Sequence, residues 1–170
     1  MTPTPKVALF RGSGAVSKLI QWQTRSIYSH AAILLPHTER TVIESREFKG
    51  VRVHEYSPEE WANVDLFDVV GADPLTWRIA LDFAHAQLGM PYDYWSVARF
   101  VSKRPARDNG KWFCSELVHK ALAAGGLRLL LRIPSAEVSP GDLAVSPLLI
   151  GTTADIPKFM LLNPNAAENP

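Results

Sequence analysis

Only one cysteine, Cys114, occurs in the 170 residues. It can form no internal disulfide, and by itself it cannot build a thiolate metal site, so the chain owes nothing to an oxidising compartment and neither a metal nor another cofactor is expected. No run of 18 apolar residues exists, which excludes a spanning helix. At the N-terminus Pro3, Pro5 and Lys6 precede a short apolar stretch, Val7 to Phe10, too brief for a secretory h-region. A cytoplasmic protein with a reduced thiol is the expectation. Charge of one sign is lacking too: 18 basic against 17 acidic residues leave +1, with no general field to hold nucleic acid or anionic lipid. Glycine and proline, 10 and 13 residues, stay below low-complexity levels. What is present, 46% hydrophobic and 21% charged residues, is globular composition, and the length suits one domain. It is placed over residues 1–159, with 160–170 a flexible tail. Oligomeric state is not readable.

Along the chain, Lys6 to Phe10 reads as a strand, stopped by Gly12 and Gly14. Val16, Leu19 and Ile20 have helical spacing over 13–24, with Ser13 or Ser17 as the cap. Residues 26–35 (SIYSHAAILL), 41–45, 51–56 and 66–70 are strand candidates, the middle two joined as a hairpin by a charged turn. Pro74 opens a helix in which Trp77, Leu81, Ala84 and Leu88 recur until Gly89. A second helical stretch covers 94–101, and 102–111 is a basic loop. Residues 113–124 form the clearest helix, with Gly125 and Gly126 as its stop. Residues 127–133 could be a strand or a helix end, and a short helix is expected over 141–146. Strands early and helices late argue an α+β fold.

Cys114 falls at the start of the clearest helix. Unpaired N–H groups and the positive end of the dipole there favour a thiolate, the nucleophilic form, and can also hold an oxyanion. A buried, inert cysteine is the plainer reading. A nucleophilic thiol needs a base within reach. His119 lies about 140° round the same helix at 3.6 residues per turn and points elsewhere. His85 sits beside Ala84 and Ala86 in a helix, His37 follows Pro36 in a turn, and His54 shares a strand face with Arg52 and Tyr56 that reads as facing water. His30 differs, being an imidazole inside an apolar strand, on one face with Tyr28, Ala32 and Leu34. Glu44, inside the strand TVIES, is an acid among apolar neighbours that needs a partner, and it can face His30 if the strands are adjacent. Glu55 is the reserve for that third place, with His54 behind it.

These residues resemble the circularly permuted NlpC-type members of the papain-like cysteine hydrolases, which include the YiiX-like bacterial proteins and, more distantly, the lecithin retinol acyltransferase group. YSHAAILL resembles the histidine strand of the family. VIES followed by GVRV is similar to the strands that carry the polar third member, and WFCSELVHKAL to the nucleophile helix. The histidine precedes the cysteine, the order of the permuted branch. LGMPYDYWS resembles the Gly-x-Pro-Tyr segment that lines the site in NlpC-type enzymes. The resemblance spans residues 7–147 and implies an antiparallel sheet packed against a helix that bears a nucleophilic Cys114. It also implies a Cys114, His30, Glu44 triad. Tyr92, and Tyr28 on the His30 face, are candidate substrate or oxyanion residues. The implied function is a cysteine hydrolase acting on a peptide amide, such as a cell-wall peptide, through an acyl-enzyme. A lipid acyl hydrolase or acyltransferase acting on an acyl ester is the alternative. A noncatalytic binding module of the same fold, such as a phage-derived component, is the reading from another class. A nucleic-acid binder using Lys103, Arg104, Arg107 and Lys111 is disfavoured, because no phosphate loop or recognition motif accompanies that run.

Overall fold

A computed structural model describes residues 4–93 and 111–152. The helix expected over 94–101, most of the basic loop after it and the tail at 160–170 lie outside the described residues. The chain runs β1 (Lys6–Phe10), α1 (Ala15–Thr24), β2 (His30–Leu34), β3 (Thr41–Arg46), β4 (Gly50–Glu55), α2 (Pro58–Trp61), β5 (Val64–Val69) and α3 (Pro74–His85). Then follow α4 (Cys114–Ala124), a 3-10 turn (Ser135–Glu137), α5 (Pro140–Ala144) and β6 (Leu149–Gly151). Among the described residues the strands make one antiparallel sheet in the order β4-β3-β2-β1-β5-β6.

Alternation along the strands gives the sheet two buried faces. Val7, Leu9, Ala31, Ile33 and Ile43 point to α3 and α4, which contribute Trp77, Ala80, Ala84, Val118, Ala121 and Leu122 to one core. On the reverse face Ala8, Phe10, Ala32, Leu34, Val42, Tyr56 and Val64 form a second cluster, closed by Trp61 of α2. In α4, Leu117, Val118, Ala121 and Leu122 are fully buried, and at roughly 1.5–3 kcal/mol for each large aliphatic side chain they seat the helix firmly on the sheet. The edge strand β4 is covered by the segment after α3: the Val51 N–H donates to the Met90 carbonyl and the Gly89 N–H to the Val51 carbonyl, each at 2.9 Å. Gly50 (φ 70°) makes that approach possible, since a Cβ there would lie 2.4 Å from the Met90 oxygen.

Several boundaries differ from the expectation. The strand over 26–35 shortens to His30–Leu34, because the chain before it turns through Ser26, whose hydroxyl takes the Tyr28 N–H. Helix α1 starts at Ala15 with Gly14 at its N-cap and no side-chain cap, so neither Ser13 nor Ser17 fills that role. Residues 127–133 form neither strand nor helix. Helix α2, with its Ser57–Glu60 capping box, and β6 were not anticipated. The expected short helix near 141–146 lies at Pro140–Ala144, capped by Ser139 and Asp142.

Candidate active site

Cys114 is the first residue of α4, and Phe113 is the N-cap. The first helical bond runs from the Leu117 N–H to the Phe113 carbonyl, so the Cys114 N–H lies ahead of the ladder and has no partner within the helix. Two anchors fix this helix start. The Ser45 hydroxyl of β3 donates to the Trp112 carbonyl at 2.7 Å, and the Ser115 hydroxyl donates to the Val138 carbonyl at 2.6 Å. The thiol is 1% exposed and lies in one cluster with Ile20, Tyr92 and Phe113.

His30 opens β2, opposite Phe10 and on the reverse face of the sheet. Its ring meets the Phe10 ring edge to face at 5.0 Å, which fixes its plane. Nε2–H donates to Glu44 Oε2 at 2.5 Å. The sheet explains the contact, since Glu44 pairs with Ala32 and is therefore the diagonal neighbour of His30 across β2 and β3. The small Ala32 leaves the carboxylate room to reach the ring. With Nε2 held by Glu44, Nδ1 is the nitrogen left for the thiol, and the ring also interacts with the Cys114 side chain. Burial pulls the imidazole pKa down, but Cys114 and Glu44, by charge and by hydrogen bonding, outweigh it and raise the value to about 9.

Glu44 is fully buried, yet its oxygens are well supplied with donors. Oε2 also accepts from the Tyr56 hydroxyl at 2.6 Å, and Oε1 accepts from Arg52 Nε and Nη2 at 3.0 and 2.9 Å. Burial alone would raise its pKa, but His30 and the Tyr56 hydrogen bond hold it well below the usual carboxylate range. Tyr56, beside this anion and buried, is pushed up and stays a neutral donor. Arg46 in turn donates to the Tyr56 hydroxyl at 3.1 Å.

Arg52 and Tyr56 are the residues that sequence reasoning missed, because the alternation of β4 placed them on a face turned to water. That face is covered in part instead: Tyr56 is 5% exposed and packs on Phe10, His54 lies edge-on to Tyr56, and Arg52 and His54 are half-buried. The exposed residues of β4 are Val53 and Glu55. The available signal was Glu44 itself, since a buried carboxylate requires donors and the hairpin register puts Arg52 directly opposite it. Glu55 pairs with Thr41 near the far end of the hairpin, three register positions from Glu44, and His54 pairs with Val42. The structure therefore gives His30 to Glu44 rather than to either reserve.

Tyr92 is buried in one cluster with Ile20, Phe113 and Cys114. Its segment is held by the Trp112 N–H donating to the Pro91 carbonyl and the Asp93 N–H to the Trp112 carbonyl. Tyr28 is placed elsewhere: its hydroxyl donates to Asp65 Oδ2 at 2.8 Å and its ring packs on Phe67, so the expected position beside the His30 ring is corrected. The strand begins only at His30, and Tyr28 does not continue its alternation. His119 faces away, with Nδ1 on the Ser135 hydroxyl and Nε2 at Leu130, as its angular position requires. His37 and His85 are exposed. A cavity of about 530 Å³ opens beside His30, lined among others by Phe10, Arg11, Ser29, Arg46, Tyr56 and Glu60.

No known family and no curated protein matches the chain. Among solved structures, the metalloprotein yiiX from Escherichia coli O157:H7 (DUF1105) superposes with a TM-score of 0.63 at 22% identity, covering 89% of this chain and 96% of that one. The fold is YiiX-like. At that identity the likeness carries the arrangement of sheet and helices and nothing about chemistry. Among the described residues no helix is long and apolar enough to cross a membrane.

Proposed function

We propose that the chain is a thiol hydrolase of permuted papain-like architecture, with Cys114 as nucleophile, His30 as general base and acid, and Glu44 as the group that orients His30. The observation that carries this reading is the position of His30, with Nε2 held by a fully buried carboxylate while Cys114 acts on the same ring by charge and hydrogen bonding. His30 takes the Cys114 proton at Nδ1 and the sulfur attacks an amide or ester carbonyl. The oxyanion is held by the Cys114 N–H with help from Tyr92. His30 then protonates the leaving group, and water, deprotonated by the same ring, releases the acyl group. An imidazole with its pKa raised to about 9 keeps the proton once the thiol has given it up. The adjoining cavity, lined by Arg11, Arg46, Glu47, Glu59 and Glu60, suits a polar peptide amide better than a fatty-acyl chain.

The solved neighbour is a metalloprotein, and the present site is a poor cradle for a metal. Among the described residues no three His, Cys, Asp or Glu side chains are disposed to hold an ion. Both Glu44 oxygens already accept from Arg52, Tyr56 and His30, so no step is routed through a metal. One observation favours a second, noncatalytic reading: Cys114 is 1% exposed, behind Ile20, Tyr92 and Phe113, and does not line the cavity.

The deciding experiment is labelling of the folded protein with a thiol-directed electrophile, alongside a screen of peptide amides and acyl esters. The hydrolase reading expects Cys114 to label, His30→Ala to slow labelling, and Cys114→Ala to abolish turnover. Absence of labelling in the native state, with ready labelling after denaturation, would support the closed module.

A further inference from the structure

Helix α1 carries an apolar stripe that the fold does not use. Only Ile20 is buried, whereas Leu19 and Trp22, three residues apart, are exposed, Trp22 to 73%; Val16, near the start of the helix, lines the cavity beside His30. Ile27, just past the helix end, adds to the same end of the element at 60% exposure. Lys18 lies beside Trp22 on the helix surface, one turn before it, and Arg25 is exposed at the C-cap, at the same end of the element as Ile27. Neither has a carboxylate partner among the described residues. In sequence every acidic residue lies at Glu39 or beyond, while Lys6, Arg11, Lys18 and Arg25 precede it; in space Glu47, Glu59 and Glu60 line the cavity at the start of α1, at the opposite end from Arg25. Lys6 and Arg11 are neutralised by Asp68 and Asp65, which leaves Lys18 of α1 and Arg25 at its C-cap as the unbalanced members of these four.

We infer that the C-terminal part of α1 is a docking element for an anionic lipid surface, lying in the interfacial plane with Leu19, Trp22 and Ile27 inserted and Lys18 and Arg25 at the headgroups. A protein partner fits less well. The stripe is a convex face of a ten-residue helix rather than a groove, and it is narrow beside the roughly 800 Å² that each partner of a stable protein pair contributes. An indole suits the headgroup boundary, and long basic side chains lay their stems along apolar surface while the charge stays in water. The near-neutral total charge hides this local arrangement. The inference goes beyond the thiol reading and does not rest on it.

The test is co-sedimentation of the full chain with vesicles of phosphatidylglycerol and phosphatidylcholine, against vesicles of phosphatidylcholine alone. Binding to the anionic vesicles is expected, weakened about fivefold for each of Lys18→Ala and Arg25→Ala and weakened further by added salt. Leu19→Glu and Trp22→Glu, both at exposed positions, are expected to lower binding at least about tenfold with an unchanged circular dichroism spectrum, and Cys114→Ala is expected to bind like the wild type. No binding to anionic vesicles, equal binding to both compositions irrespective of salt, or full binding by Trp22→Glu would overturn the inference. So would a dimer in solution that Trp22→Glu dissociates, because a second copy would then cover the stripe.

Discussion

Replacing Glu44 by glutamine keeps the shape of the side chain and removes its charge. An amide has one oxygen and one NH2 group, whereas the pocket offers donors to both carboxylate oxygens: Arg52 to Oε1, and Tyr56 and His30 to Oε2. Whichever way the amide turns, its NH2 meets a donor, and the positive charge of Arg52 loses its partner. Breaking a buried ion pair from one side costs about 3–5 kcal/mol, and the partial exposure of Arg52 puts the expected loss near the lower figure. The wild-type pH dependence has two limbs with opposite signs. Glu44 is depressed on folding, so its contribution is present above its unfolded value near 4.5 and fades as the pH falls. His30 is raised, so its contribution is whole below 6.5 and is lost as the pH rises through about 9, a change on the order of 3 kcal/mol. Stability of the wild type should therefore be greatest between roughly pH 4.5 and 6.5, as far as this pair decides it. Glu44→Gln should lose the acid limb outright and flatten the alkaline one, since Cys114 alone is left to raise His30. Urea titrations at pH 6 and at pH 9.5, with the His30 ring followed by NMR, measure both. A variant within about 0.5 kcal/mol of wild type at both pH values, with an unmoved His30 titration, would refute the reasoning.

Tyr56→Phe removes one donor from a buried anion and should cost about 1.5–3 kcal/mol, read by thermal unfolding, while moving the His30 titration only slightly because the Nε2 contact survives. Arg52→Met should destabilise comparably by leaving Oε1 without its donors, and Arg52→Lys should recover only part of the loss, because an ammonium cannot reproduce the two guanidinium bonds. Gly50→Ala should cost about 1–3 kcal/mol, since it places a side chain at φ 70° and a Cβ against the Met90 carbonyl. Because Met90 leads into the segment that holds Tyr92, the same change should lower turnover if Tyr92 assists the oxyanion.

The fold was legible where one local signal sufficed. Pro74 at a helix start and the glycine pair after Ala124 marked α3 and α4 to within a few residues, and the charged turn before Gly50 marked the β3–β4 hairpin. Helix α1 shows the limit of periodicity. Val16, Leu19 and Ile20 repeat as a core face would, yet only Ile20 is covered. Spacing records which side chains share a face and says nothing of what lies opposite. The three-residue β6 has no signal of its own, being a strand only because β5, through Phe67 to Val69, offers it an edge to pair with.

The site divides along the same line. Cys114 and His30 were legible because each is odd in its own segment, a thiol at a helix start and an imidazole at the head of an apolar strand, and Glu44 because an acid among Val42 and Ile43 demands a partner. Arg52 and Tyr56 are ordinary in their strand, where a cation and a phenol alternating with valines read as a wet face. That reading assumes a sheet with one dry side. Here Phe10, Tyr56 and Trp61 close much of the reverse face as well, so Tyr56 and the half-buried Arg52 are brought against Glu44 and become its donors. A buried carboxylate thus tells more about its neighbours than their own pattern does. Once Glu44 is taken as ionised and enclosed, the hairpin register alone nominates Arg52 across the strand, and the second oxygen requires further donors, which His30 and Tyr56 supply.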